Sequence, residues 1–252
     1  MYKNEKSVYK NPLNYGFWRC AAMDFCDIRK ICFAGIMIAL SVALQSFSIK
    51  LAPGLSLQFT FVVSALSGAV CGPYLSFIRG CASDIIGFFV FPTGYPFLLG
   101  YTLSAGLGAL VYSLLFYRQK ITFSRILFAK IAVNVFVNAM LGSLWNVIVL
   151  GTKAYSAYFA LSISKNLVML TLEVCVIVFV FSSLIPVLYR MDVVYADSPI
   201  TYNKNQLIIC GVFSLFIFAF FIAFIINASA VTEFLSGIYS KIKEFMLTFL
   251  ND

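Results

Sequence analysis

The sequence predicts an all-α membrane protein, and three observations carry that prediction. Of its 252 residues, 62% are hydrophobic and only 11% charged, more apolar side chain than one soluble core of this length can cover. The apolar residues fall in long runs separated by short polar breaks, the pattern of helices that cross a bilayer. Lys and Arg, which give the net charge of +8, gather before the first run and in alternate breaks, as cytoplasmic loops do. That placement points to a membrane rather than to nucleic acid.

Each element can be justified in chain order. Residues 1–30 are basic, with Lys3, Lys6, Lys10, Arg19, Arg29 and Lys30. They are too long and polar for a cleaved signal peptide and read as a cytoplasmic anchor. The first span runs from about Ile31 to Phe47, and a loop with Lys50, Pro53 and Gly54 follows. The second covers about 57–71. Gly72-Pro73 then turns the chain, with Pro73 suited to the first position of a helix. The third span covers about 73–91 and stops at PTGYP, 92–96. The fourth covers about 97–117, the fifth about 122–150 and the sixth about 163–189. These six make one membrane domain, 31–190. A cytoplasmic loop, 191–205, leads to an extra seventh span, 206–227, and a C-terminal tail, 228–252.

In the tail, Phe234, Leu235, Ile238, Ile242, Phe245, Met246 and Phe249 share one helical face. The spacing fits an interfacial amphipathic helix or one packed on a partner. With the N-terminus inside, the inner side collects Lys3, Lys6, Lys10, Arg19, Arg29, Lys30, Arg79, Arg118, Lys120, Arg125, Arg190 and Lys204. The outer side collects Lys50, Lys153, Lys241 and Lys243. The N-terminus is therefore expected in the cytoplasm.

Enzyme signatures are missing. There is no GxxxxGK[ST] and no histidine, so neither a P-loop nor a histidine-based metal site is expected, and no cofactor. Seven scattered cysteines without a CxxC pair read mostly as packing residues. Asp84 and Glu173 are the only acids deep in the spans. Transport or binding is the expected role.

Four constellations stand out. In the first span Ala39 and Ala43 form a small-xxx-small pair, suited either to internal packing or to docking of an external helix. Ser104/Gly108 and Ala105/Ala109 in the fourth span read as internal packing. In the third span Arg79 and Asp84 lie about 140° apart around the helix, so they do not bridge each other. Arg79 is expected to snorkel inwards or pair across the bundle, and Lys130 is the expected partner of Asp84. In the fifth span Lys130, Asn134, Asn138 and Trp145 fall within about 80° of one another. That polar stripe should face the interior, for interhelical hydrogen bonds or for a ligand, although Trp145 also fits an aromatic belt. In the sixth span Glu173 lies about 12 Å deeper than Lys165 on roughly the same side, as a functional acid or a structural ion pair.

Together these stretches resemble the S component, the substrate-binding subunit, of energy-coupling factor vitamin transporters, and most closely its folate-specific branch. The resemblance covers 29–190 and rests on ALSVALQSFSIKLAPGLSLQF, GPYLSFIRGCASDIIGFFVFPTGYPF with GYTLSAGLGALVYSLLF, RILFAKIAVNVFVNAMLGSLWNVIVLG and SISKNLVMLTLEV. It implies six helices, a vitamin site near the outer face, and a partner helix docking on Ala39 and Ala43. It also implies a transmembrane T subunit and two ATPases as partners, in the cytoplasmic membrane of a bacterium. The seventh span and tail have no counterpart in the family. Ser162 stands where folate members tend to show arginine, and 55–59 lacks a lysine often found there.

A folate needs aromatic surface, which Tyr95, Phe97 and Trp145 offer. It needs hydrogen bonding at the pterin edge, from Glu173 or Asn138. It also needs cations for its carboxylates, from Lys50 or Lys165. The other readings are an S component for riboflavin, thiamine or pantothenate, and a structural or assembly membrane protein.

Overall fold

The structure, a computed structural model, describes residues 15–52, 55–91, 97–150 and 155–191, with the single positions 194, 208 and 212. The expected seventh span, the tail and the PTGYP break lie outside the described residues.

A short helix α1 (Tyr15–Met23) and a 3-10 turn (Asp24–Cys26) precede α2 (Ile28–Ser46). Asp27 caps α2, its carboxylate accepting from the Arg29 N–H at 3.1 Å. An antiparallel hairpin of β1 (Ser48–Ala52) and β2 (Leu55–Gln58) follows, pairing Ser48 with Gln58 and Lys50 with Ser56. Then come α3 (Thr60–Val70), α4 (Pro73–Val90) and α5 (Leu99–Phe116). A continuous rod follows, made of α6 (Phe123–Ala132), a π-helical segment (Val133–Leu141) and α7 (Gly142–Leu150), and α8 (Tyr155–Arg190) ends the bundle. Pro73 occupies the first turn of α4, where its missing N–H costs nothing. Among the described residues four helical stretches, Ile28–Ser46, Leu99–Phe116, Phe123–Val149 and Met169–Arg190, are long and apolar enough to cross a membrane, and the molecule is an all-α membrane bundle.

Two local expectations change. The stretch expected as a loop is a β-hairpin, because Ser48–Ala52 and Leu55–Gln58 satisfy each other's backbone groups by antiparallel pairing; the second span accordingly begins at Thr60. The segment before residue 30 is more than a charged anchor, because α1 buries Phe17 and Ala21 completely. The Phe17 ring meets Tyr117 edge-on at 5.4 Å, and Trp18 lies 5.5 Å from Tyr74.

At this end of the bundle Asp24 is a buried hub. One carboxylate oxygen pairs with Lys30 Nζ at 2.5 Å, and the other accepts the Gly72 N–H at 3.1 Å. Lys30 is 1% exposed, so its charge serves this pair and not a lipid headgroup. Arg118, at φ 51°, donates from Nε to the Tyr117 hydroxyl at 3.1 Å.

The core runs through the centre of the bundle, from Phe61, Val63 and Leu66 on α3 to Ile126, Ala129, Ile177 and Phe181 on α6 and α8. The tightest crossing is α4 on α5. A Cβ at Gly80 would stand 2.7 Å from the Ala105 carbonyl oxygen and 2.9 Å from Gly106 Cα, so any larger residue would push these helices apart. Lipid gives helices little hydrophobic reason to associate, and close backbone approach supplies dispersion instead.

Candidate functional site

Between the hairpin end and the middle of the bundle lies a cavity of about 590 Å³, within the usual range of small-ligand pockets. Every long helix contributes to it. Gln58, Phe91, Tyr101, Asn146 and Ser162 line the hairpin end. Phe61, Ser64, Arg79, Tyr112, Lys130 and Glu173 line the deep end. Tyr112 lies about 16 Å below Tyr101 along α5, eleven residues at 1.5 Å each.

The deep end is charged and ordered. Lys130 Nζ pairs with Glu173 Oε2 at 3.0 Å and lies 4.3 Å from the centre of the Phe61 ring. Asn134 donates to the same Glu173 oxygen at 3.3 Å and to the Asn166 carbonyl at 3.4 Å. Asn138 donates to the Asn134 side-chain oxygen at 3.0 Å. Ser162 donates to the Asn138 carbonyl at 3.2 Å and accepts from Asn166 at 3.3 Å. The π segment and α8 are thus stitched together by one polar chain, as buried polar groups in hydrocarbon require.

Asp84 accepts a 2.7 Å hydrogen bond from Thr102, which corrects the expected pairing with Lys130. The reason is packing: α4 crosses α5, whereas α8 brings a carboxylate directly to Lys130. Arg79 does not snorkel either. It is 1% exposed, faces the cavity, and donates from Nη2 to Ser64 Oγ at 3.1 Å. It therefore adds nothing to the positive charge of the inner loops.

Of the residues predicted to bind substrate, Asn138 and Glu173 line the cavity. Trp145 is not among the lining residues. Its Nε1 donates to Ser104 Oγ at 2.8 Å, and its ring lies directly against Gly100, leaving no room for a Cβ there. Phe97 is 41% exposed, packs on Phe88 at 5.1 Å, and is not among the lining residues. Tyr95 lies outside the described residues. Lys50 belongs to β1 and Lys165 to α8, and their side chains are likewise outside the description. Ala39 and Ala43, expected to dock a partner helix, lie on the exposed face of α2 with Gly35, which has nothing within 4 Å of a Cβ.

Several lining residues escaped the sequence reading, among them Gln45, Tyr101, Tyr112, Asn146 and Asn166. One signal was present. Ser104, Ala105, Gly108 and Ala109, read as packing residues, all line the cavity, and their small side chains leave its space open. Tyr101 and Tyr112 continue that α5 face at helical spacing.

Comparison with known proteins agrees with this architecture. Two proteins described as the folate transporter FolT are similar. The one from Clostridium novyi (strain NT) is 33% identical over 145 residues, covering 58% of this chain and 83% of its own. The one from Leuconostoc mesenteroides subsp. mesenteroides is 28% identical over 156 residues, covering 59% and 84%. A crystal structure of FolT bound with folic acid superposes with a TM-score of 0.55 at 26% identity, covering 61% of this chain and 92% of that one. A family model described as "ECF-type riboflavin transporter, S component" matches residues 25–191. With apolar helices around a polar cavity and a match over residues 25–191, the chain belongs to the S-component family of ECF-type transporters.

Proposed function

We propose that this chain captures folate or a reduced folate for an ATP-driven ECF importer. The carrying observation is the cavity of about 590 Å³, which opens within an apolar bundle yet is lined by charged and amide side chains. Buried polar groups in a membrane helix mark a substrate path, and the similarity to FolT proteins names the substrate. Glu173, Asn138 and the neighbouring amides suit the donor and acceptor edges of a pterin. Phe97, Tyr95 and Trp145 are proposed to shape the aromatic surroundings. Lys50 and Lys165 are proposed to meet the glutamyl carboxylates at the hairpin end, which faces outwards if the N-terminus is cytoplasmic.

This chain carries no P-loop, and the energy is proposed to come from partners. A transmembrane T subunit is proposed to dock on the exposed Gly35, Ala39 and Ala43 stripe, where small residues allow a second helix to approach closely. Two ATPase subunits would then drive reorientation of the loaded bundle.

The test is equilibrium titration of the purified chain in detergent with folic acid and, separately, riboflavin. Saturable folic acid binding is expected in the parent, weakened at least tenfold by Glu173→Gln. Tighter binding of riboflavin, which the family model's description favours as the second reading, would transfer the assignment to that vitamin.

A further inference from the structure

The deep wall of the cavity holds a cation that the rest of the bundle leaves unmatched. Arg79 is 1% exposed; its Nη2 donates to Ser64, and its Nε and Nη1 have no partner among the described residues. No described carboxylate pairs with it; Lys130 and Glu173, the other charges of the deep end, are already joined to each other. Tyr112 lines the same cavity, and its hydroxyl is also buried, at 1% exposure, and also without a partner among the described residues. Leaving charged and polar donors unmatched in a low-dielectric interior is costly. Two such groups facing one cavity mark a place where a ligand supplies the acceptor.

Building on the folate reading, we infer that Arg79 and Tyr112 form the subsite for the acceptor edge of the pterin head, its ring oxo group and the unprotonated pyrazine nitrogen on the same edge. Charge counting selects the head over the tail. A glutamyl tail carries two carboxylates, and this wall offers a single unmatched cation, so a buried tail would leave one carboxylate uncompensated. A flat aromatic head instead presents neutral acceptors to a forked guanidinium, which suits planar, paired recognition. Phe61 and Tyr112 line the same cavity and offer aromatic faces on which a flat heterocycle can stack. Arg79 is thus a specificity residue: it reads an oxo acceptor and rejects a donor placed at the same position.

Purified chain in detergent is titrated with folic acid, with its diamino analogue, in which an amino donor replaces the ring oxo group, and with pteroic acid, which lacks the glutamyl tail. The parent is expected to prefer folic acid over the diamino analogue by about tenfold or more. Arg79→Gln and Tyr112→Phe are each expected to shrink that preference by weakening folic acid and pteroic acid alike. Tyr112→Phe keeps the ring volume and carries the test if Arg79→Gln does not fold. An unchanged preference in the folded variants overturns the subsite. So does a loss confined to folic acid with pteroic acid spared, because Arg79 would then hold the tail. A parent that binds folic acid without discriminating overturns the subsite and leaves the folate reading standing. A parent that binds none of the three overturns both.

Discussion

Lys130 on α6 and Glu173 on α8 hold each other at 3.0 Å, with side-chain exposures of 1% and 12%. Breaking a buried pair leaves one charge without compensation, at about 3–5 kcal/mol, whereas replacing both partners by apolar groups is often nearly neutral. Lys130→Met or Glu173→Gln alone should therefore lower the unfolding midpoint of the ligand-free protein in detergent. The Lys130→Met/Glu173→Met double variant should be closer to the parent than either. Equal or additive losses would show that the pair does not act as a unit.

Asp24 should be as demanding at the end of the bundle away from the hairpin. Asp24→Ala strands the buried Lys30 charge and the Gly72 N–H together. A loss of about 3 kcal/mol or more is expected. The check is denaturant unfolding alongside folic acid titration, and the signature is lower stability with affinity nearly unchanged, since Asp24 lies outside the cavity lining.

Trp145 separates support from contact. Trp145→Phe removes the bond to Ser104, worth about 1 kcal/mol, and keeps most of the ring. Folic acid affinity should fall by less than tenfold in Trp145→Phe and by much more in Trp145→Ala, which opens space against Gly100. A loss in Trp145→Phe as large as in Trp145→Ala would instead mean that the indole N–H meets the ligand.

The exposed α2 stripe yields a split between binding and transport. Ala39→Leu with Ala43→Leu should leave folic acid binding by the isolated chain unchanged, because both positions face outwards. Uptake by cells carrying the full transporter should be abolished. Loss of binding in the isolated chain would place these alanines in internal packing.

Much of the fold was legible because hydrocarbon imposes a coarse rule: long apolar runs become helices, and Pro73 marks a start. The hairpin escaped because Ser48–Gln58 is too short and mixed to signal pairing, which depends on a partner strand. The site was legible where a charge in an apolar run demanded explanation, as at Arg79, Asp84, Lys130 and Glu173. Their partners were not legible. Which helix a charge meets is decided by crossing geometry, and the Gly80 contact on α5 that carries Asp84 to Thr102 leaves no period in the sequence. Asn146 lines the cavity and Trp145 does not, a difference of one position that follows from the π segment. A stripe drawn at about 100° per residue loses phase once hydrogen bonds run to the fifth residue instead of the fourth.

That wide turn, Val133–Leu141, also bears on how such a protein can change over generations. A π segment holds one more residue than the α-helix needs, so the loss of a single codon there would tighten the turn and rotate α7 against the fixed wall of α5. The loops, the caps and the apolar lengths would all stay as they are. New side chains would face the ligand without any of them being substituted, and a pocket could drift from one vitamin toward another by slippage of phase.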